Sequence, residues 1–324
     1  MNRRLIDVLN GGGAVLALAA SIGAAALASR SSAADRLLLS AAPAAAAPAP
    51  GSVVDASGVR VTIRPFRRIA AGSTVADRLL LDLAEPDRVV ALTDYGARFS
   101  PVRHRYAGHT LIKELTDIES VLALKPDLLL VNNYGDRARV ARLRETGMVV
   151  FDLGEMRGLT TLLPNIRAVA ALLGDPARGA AYEHALRQRL ERVAITRRGQ
   201  PRRSAIYVSV YGDRLFGGTV GTNYHDILTS AGLQDAAAAR FRDWPQYGPE
   251  DLLELNPDLF VTKPGMRRLL CAQPGLDHLR ACQAADGFIE LPGTLLDDPG
   301  PEILDASEAV FAAAYPADAP PVQH

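Results

Sequence analysis

Apolar residues along this chain fall into two patterns: short unbroken runs bounded by turn residues, and longer amphipathic stretches with helical spacing. One combination of the two is written twice. Residues 117–131 read DIESVLALKPDLLLV and residues 249–261 read PEDLLELNPDLFV. Each copy sets a glutamate (Glu119, Glu250) seven residues before a Pro-Asp pair (Pro126-Asp127, Pro257-Asp258), and the copies lie 131 positions apart. Proline lacks an N–H and disfavours helix in the residue before it, so each copy predicts a short amphipathic helix, a stop, and a buried strand. A helix-to-strand unit in each half predicts two similar lobes with a cleft where they meet.

The flanking pattern agrees. Residues 53–54 and 59–63 flank Asp55-Ala56-Ser57-Gly58 as a hairpin; 68–71 read as a strand, Gly72-Ser73-Thr74 as a turn with an N-cap, 75–83 as a helix and 89–92 as a strand. Further helices are predicted over 137–145, 159–173, 177–197, 224–231, 277–282 and 301–314, and strands over 149–151, 205–210, 215–217 and 288–291. At about 1.5 Å per residue the 177–197 helix is long enough to cross from one lobe to the other. Residues 93–115 and 233–248 have no regular period, are rich in aromatics, and each immediately precede a copy of the repeated unit. They read as long functional loops lining the cleft. The fold class expected is α/β: two similar lobes, each a mostly parallel sheet flanked by helices, joined by a long interlobe helix. The boundaries read as an N-terminal lobe over 53–157, linking helices over 158–200, a C-terminal lobe over 201–314 and a tail over 315–324.

Acidic and basic residues balance at 36 each, which removes the long-range field a general nucleic-acid binder needs. At the N-terminus, Arg3 and Arg4 precede a small and apolar run over 11–28 with several small-x-small cleavage options behind it. Residues 1–33 therefore read as a cleavable secretory signal peptide and imply a periplasmic protein. The alternative, a membrane anchor, has only 18 glycine- and alanine-rich residues to span about 30 Å of hydrocarbon. No cysteine follows the run, so no lipid anchor is expected there. Residues 34–52 are an Ala/Pro-rich spacer. The two cysteines, Cys271 and Cys282, stand eleven apart; bridged in an oxidising compartment they would add roughly 2–3 kcal/mol. Their spacing leaves bridge and free thiols both open.

Catalytic motifs are missing from the sequence: it holds no GxSxG, HExxH or GxxxxGK[ST], and no GxGxxG after a strand. The order of VVDASGVRVTI, RIAAGSTVADRLLLDL, LALKPDLLLV, the helical stretch from Gly158-Leu159, LELNPDLFV and the 275–292 ending resembles the substrate-binding proteins of ABC importers. The resemblance is to the cluster with a long interlobe helix that delivers vitamin B12, iron-siderophores and haem, and it covers residues 53 to 312. Trp244-Pro245-Gln246 is similar to a Trp-Pro-Gln at the same place in the vitamin B12-binding protein, whereas Lys113 occupies the matching position of the first lobe. The resemblance implies a monomeric binding protein rather than an enzyme, with no cofactor of its own. Its ligand would be a metal chelate (a corrinoid, a ferric siderophore or haem), and Glu119 and Glu250 would dock it onto arginine pockets of a permease dimer. A capping box between Thr116 and Glu119 is the plainer account of the first glutamate. Candidate ligand contacts are Tyr95, Arg98, Phe99, Tyr106, Tyr134, Tyr211, Tyr224, Trp244 and Tyr247, since aromatics and arginine suit a flat or anionic chelate. Two alternatives stand beside this reading. One is a sister binding protein for bare Zn or Mn, which would need three or four converging His, Asp or Glu ligands; the other is a periplasmic enzyme of similar architecture.

Overall fold

Asp55 closes the first turn by accepting the backbone N–H groups of Ser57 and Val59, each at 2.9 Å, between β1 (Ser52–Val54) and β2 (Arg60–Thr62). The computed structural model describes residues 51–316 apart from 114, 116, 133–136, 197–200 and 213. The signal peptide, residues 34–50 of the spacer, residues 317–324 of the tail, Thr116 and Tyr134 lie outside the described residues.

The first lobe runs β3 (Ile69–Ala71), α1 (Thr74–Leu83), β4 (Val89–Thr93), α2 (Asp94–Phe99), β5 (Thr110–Ile112), α3 (Ile118–Ala123), β6 (Leu128–Val131), α4 (Arg137–Glu145) and β7 (Val150–Asp152). Its five strands form a parallel sheet in the order β5-β4-β3-β6-β7. Strands covered on both faces lose the polar alternation of a half-exposed sheet, which is why β6 is four buried apolar residues in a row. Ser73 starts α1 as its N-cap, its hydroxyl accepting the Ala76 N–H at 3.2 Å.

Two helices follow, α5 (Leu159–Leu173) and α6 (Pro176–Thr196), separated by Gly174 in the left-handed region. The second lobe comprises β8 (Ser204–Tyr211), β9 (Arg214–Gly218), α7 (Asn223–Ser230), β10 (Gln234–Asp235), β11 (Gln246–Tyr247), α8 (Pro249–Leu255), β12 (Leu259–Thr262), α9 (Met266–Cys271), α10 (Arg280–Gln283), β13 (Phe288–Glu290), α11 (Gly293–Leu296) and α12 (Glu302–Ala314). Its sheet runs β11-β9-β8-β12-β13, with β10 also on β8; β8, β10, β12 and β13 are parallel, and β9 is reversed, pairing antiparallel with both β8 and β11. Cys271 and Cys282 are disulfide-bonded, with 5.7 Å between their Cα atoms.

Residues 93–115 and 233–248 are more regular than the sequence pattern implies. The first holds α2, a one-turn helix over Arg103–Tyr106 and β5; the second holds β10 and β11. Elements of two to six residues are made by pairing with neighbours and leave no period of their own.

The repeated unit has the same construction in both lobes. The residue before each proline cannot stay helical, and both Lys125 (φ 47°) and Asn256 (φ 33°) escape into the left-handed region. Each Pro-Asp aspartate then fastens its strand to the start of the neighbouring one. Asp127 accepts the N–H groups of Arg67 and Arg68 at 2.7 and 2.9 Å, and Asp258 accepts that of Ser204 at 2.8 Å. An arginine covers the open carbonyls of each preceding helix end, Arg68 on Leu124 and Lys125, Arg280 on Asn256.

One apolar cluster joins both lobes. It takes Val75 and Leu79 from α1, Leu162 and Ile166 from α5, Leu186 from α6, Ile227 from α7, and Ile303 and Val310 from α12. Each such side chain contributes about 1.5–3 kcal/mol on burial. Charged groups continue the seam: Arg78 of α1 pairs with Glu302 of α12 at 2.9 Å, and Arg189 of α6 pairs with Asp305 and Glu308, each at 2.7 Å.

Candidate functional site

A cavity of about 420 Å³, partly open to solvent, lies between segments of the two lobes. On the first-lobe side it is lined where parallel strands end: Gly72, Ser73 and Thr74 after β3, Thr93 at the end of β4, Ile112 and Lys113 at the end of β5, and Asn132 after β6. Ligands of parallel α/β sheets bind at these carboxyl ends, where the loops diverge and leave a crevice. Tyr95 and Phe99 of α2 form an aromatic wall, exposed, with ring centroids 4.9 Å apart. The second lobe contributes the segment after β13: Gly293, Thr294, Asp297, Asp298 and Glu302.

A second layer holds α2 in place. Asp77 of α1 accepts the Thr93 N–H at 2.9 Å, the Thr93 hydroxyl, and the Tyr106 hydroxyl at 3.2 Å; Thr93 in turn caps α2 through the Gly96 N–H at 3.0 Å. Burial raises Asp77 to about 7 against the opposing hydrogen bonds from Thr93 and Tyr106. On the other side, Asp297 accepts the Tyr207 and Tyr224 hydroxyls at 3.1 and 3.0 Å and pairs with Lys263 at 2.6 Å, above two tyrosine rings stacked with centroids 3.6 Å apart. Asp298 accepts from Thr74 and from the Gly300 N–H, and burial raises its pKa. Burial, followed by neighbouring Asp298, raises Glu302 to about 8 despite its ion pair with Arg78.

Of the nine residues proposed as ligand contacts, Tyr95 and Phe99 line the cavity. Arg98, on the same helix, pairs with Asp94 at 2.8 Å and is exposed. Tyr106 and Tyr247 sit inside the lobes at 4% and 3% exposure, Tyr106 beneath α2 and Tyr247 edge-on to Phe241. Tyr224 supports Asp297 from below. Tyr211 and Trp244 are exposed away from the cavity wall, Trp244 with Arg157 4.6 Å over its ring. The Asp297-Asp298 pair, Glu302, Asn132 and Lys113 line the site without having been selected from the sequence as ligand contacts. The available signal was positional: paired acids following a strand of a parallel sheet. Among the described residues no group of three or more His, Cys, Asp and Glu could hold a metal ion.

The twin helices form a second feature. Asp117 caps α3 by accepting the Ser120 N–H at 3.1 Å, and Asp251 of α8 accepts the Gly248 N–H at 2.9 Å. Capping is thus performed by the neighbouring aspartates. Glu119 and Glu250 are exposed with no partner among the described residues, and each is followed one turn later by an exposed leucine, Leu122 or Leu253.

Two parallel-sheet lobes around a cleft, joined by a long helix, define a two-lobed binding protein. Residues 69–286 match the sequence profile of the periplasmic binding protein family, and the chain belongs to that family. It is 25% identical over 263 residues to a cobalamin-binding protein of Halobacterium salinarum, covering 78% of this chain and 70% of that one. Solved structures that share its fold include a vitamin B12-binding and a haem-binding protein. The vitamin B12-binding protein BtuF of Vibrio cholerae has a TM-score of 0.60 and 23% identity, covering 78% of this chain and 98% of its own. The haem-binding protein RhuT of Roseiflexus has a TM-score of 0.63 and 20% identity, covering 77% and 99%. All three relatives bear the names of binding proteins. Among the described residues no helix is long and apolar enough to cross a membrane.

Proposed function

We propose that this chain is the periplasmic substrate-binding protein of an ABC importer, exported through the signal peptide at 1–33, acting as a monomer. It captures a metal chelate between its lobes and delivers it to a permease dimer. The observation that carries this reading is the interlobe cavity, walled by Tyr95 and Phe99 at the carboxyl ends of parallel strands. The cobalamin, vitamin B12 and haem named for its relatives support a chelate as the ligand class. No bond is made or broken in this role. The aromatic wall takes the flat face of the chelate, polar groups around the cavity take its edge, and water is expelled from between them.

Docking is assigned to α3 and α8. Their exposed glutamates would make charge-assisted bonds to permease arginines, with Leu122 and Leu253 adding an apolar contact beside each. The test of capture is thermal unfolding of the purified protein with cyanocobalamin, haemin or ferric siderophores. A true ligand at about 100 times its Kd stabilises the fold by about 2.7 kcal/mol. If none of the three classes raises the unfolding temperature, the reading is wrong.

A further inference from the structure

Outside the cavity, one edge of the first lobe carries charge that the fold does not use. Arg60, Arg64 and Arg67 follow one another in the segment that leads from β2 into β3, and all three are exposed. Arg60 donates to the Ser52 hydroxyl at 3.0 Å and Arg64 lies 4.9 Å over the Phe66 ring, but none of the three side chains meets a carboxylate among the described residues. Two acids beside them are already engaged: Asp55 holds Arg144, and Glu85 holds Arg88 at 2.8 Å. The surface between these arginines is apolar. Arg64 and Phe66 form a ridge between two hollows and line both. One, of about 470 Å³, is also lined by Val61, Met148 and Val150, and the other, of about 410 Å³, by Ile63, Pro65 and Leu173. The adjoining hairpin adds two exposed aliphatics, Val54 opposite Arg60 and Val59 next to it, at 42% and 40% exposure.

Free guanidinium groups alone would suit any polyanion. Valines and apolar hollows set among them favour one kind. A nucleic acid or an acidic chain would have to bring its charges against aliphatic surface, at a cost in desolvation. A membrane surface offers phosphates above acyl chains, and arginines interleaved with aliphatics contact both at once. We infer that the edge formed by Arg60, Arg64 and Arg67 rests on anionic phospholipid, with the guanidinium groups on lipid phosphates and Val54 and Val59 against the glycerol and upper methylenes. The edge also reaches the link between α3 and β6, where Asp127 accepts the Arg67 N–H at 2.7 Å. Under the docking role proposed above for α3, lipid contact would hold the protein beside the permease and turn its search for that partner into one along the membrane. The lipid contact itself does not depend on that docking.

The test is co-sedimentation of the exported protein with vesicles of phosphatidylcholine alone and of phosphatidylcholine mixed equally with phosphatidylglycerol. Partition onto the mixed vesicles should exceed that onto the neutral ones by about tenfold or more, and should fall as salt is raised. Replacing Arg60, Arg64 and Arg67 together by glutamine should lower partition onto the mixed vesicles about tenfold. The same change at Arg103, Arg178 and Arg268, exposed arginines elsewhere, should lower it less than about twofold. Val54→Ser combined with Val59→Ser should weaken partition about threefold while leaving its salt dependence unchanged. Equal partition onto the two kinds of vesicle, or an equal loss in the two triple variants, overturns the inference. If the triple glutamine variant fails to fold, the three single Arg→Gln variants replace it, each expected to lose about two- to threefold, and no loss in any of them overturns the inference. Chelate capture is read separately, from thermal unfolding, and stands or falls independently of these outcomes.

Discussion

Asp127 is a residue whose sequence context hides its task. Following proline it would pass for a turn residue, yet its carboxylate accepts two successive backbone N–H groups from the residues leading into β3. Those donors lie just ahead of Ile69, the first paired residue of the central strand β3. Asp127→Ala should lower stability by about 1–2 kcal/mol, read as a lower urea midpoint at unchanged slope; an unchanged midpoint would show that water replaces the carboxylate without loss. Gly158 makes a different kind of demand. It precedes α5 with φ 128° and ψ −157°, a region open essentially to glycine alone, and a Cβ there would collide with the Asp226 carboxylate. Asp226 cannot yield easily, because it accepts the Leu159 N–H at 2.7 Å and so ties α7 to the start of α5. Gly158→Ala should therefore cost about 2–3 kcal/mol, more than a glycine-to-alanine change at an unstrained site. Full wild-type stability of that variant in a thermal melt would show that the joint relaxes.

At the scale of elements, α3 and α8 stand out, since each presents a glutamate without a partner among the described residues and an exposed leucine on a short helix fixed at both ends. Aspartates cap their starts, and Arg68 and Arg280 close their ends. Replacing both Glu119 and Glu250 by arginine should abolish ligand uptake through a reconstituted permease while leaving ligand affinity within about twofold; each Leu→Ser change at 122 or 253 should weaken docking by about 1 kcal/mol. Unchanged uptake in the double reversal would remove the docking assignment. These helices were legible in the sequence because their leucines and prolines sit at fixed spacing, and so were the longer α5, α6 and α12. The elements α2, β5, β10 and β11 were not, because runs of two to six residues carry no period and exist only once a partner strand or capping network is present. The cleft divides in the same way. Tyr95 and Phe99 could be found as aromatics in an irregular stretch, but the same cue selected Tyr106 and Tyr247, which tertiary packing buries. Asn132, Asp298 and Glu302 come together only when the end of β6 faces the segment after β13, and no local pattern encodes that meeting.

Across the whole molecule, the seam between the lobes concentrates acids that would rather be neutral. Burial, against hydrogen bonds from Thr93 and Tyr106, raises Asp77 from 3.8 to about 7. Burial and Asp298 raise Glu302 from 4.5 to about 8, and burial raises Asp226 from 3.8 to about 6 against the Leu159 N–H. An acid whose folded value lies above its unfolded one binds its proton more tightly in the folded state. Its contribution is complete below the unfolded value and is lost as pH rises through the folded one. Asp82 and Asp258 run the other way. Burial raises each, but Arg78 and Tyr182 at Asp82, and Ser204 and Arg280 at Asp258, leave both lowered, so what they contribute is lost as pH falls through their depressed folded values, below 3.8. Together the three raised acids make stability fall from mildly acidic pH up to pH 8, most steeply where all three ionise. Charging Glu302 strengthens its pairing with Arg78 across the seam, but burying that charge beside Asp298 costs more than the pairing returns. Urea midpoints at pH 5, 6, 7 and 8 should fall steadily, and Glu302→Gln, which stays neutral throughout, should flatten the curve between pH 6 and 8. A midpoint that rises from pH 5 to pH 8 would mean that solvent reaches these acids and that the seam is open in solution.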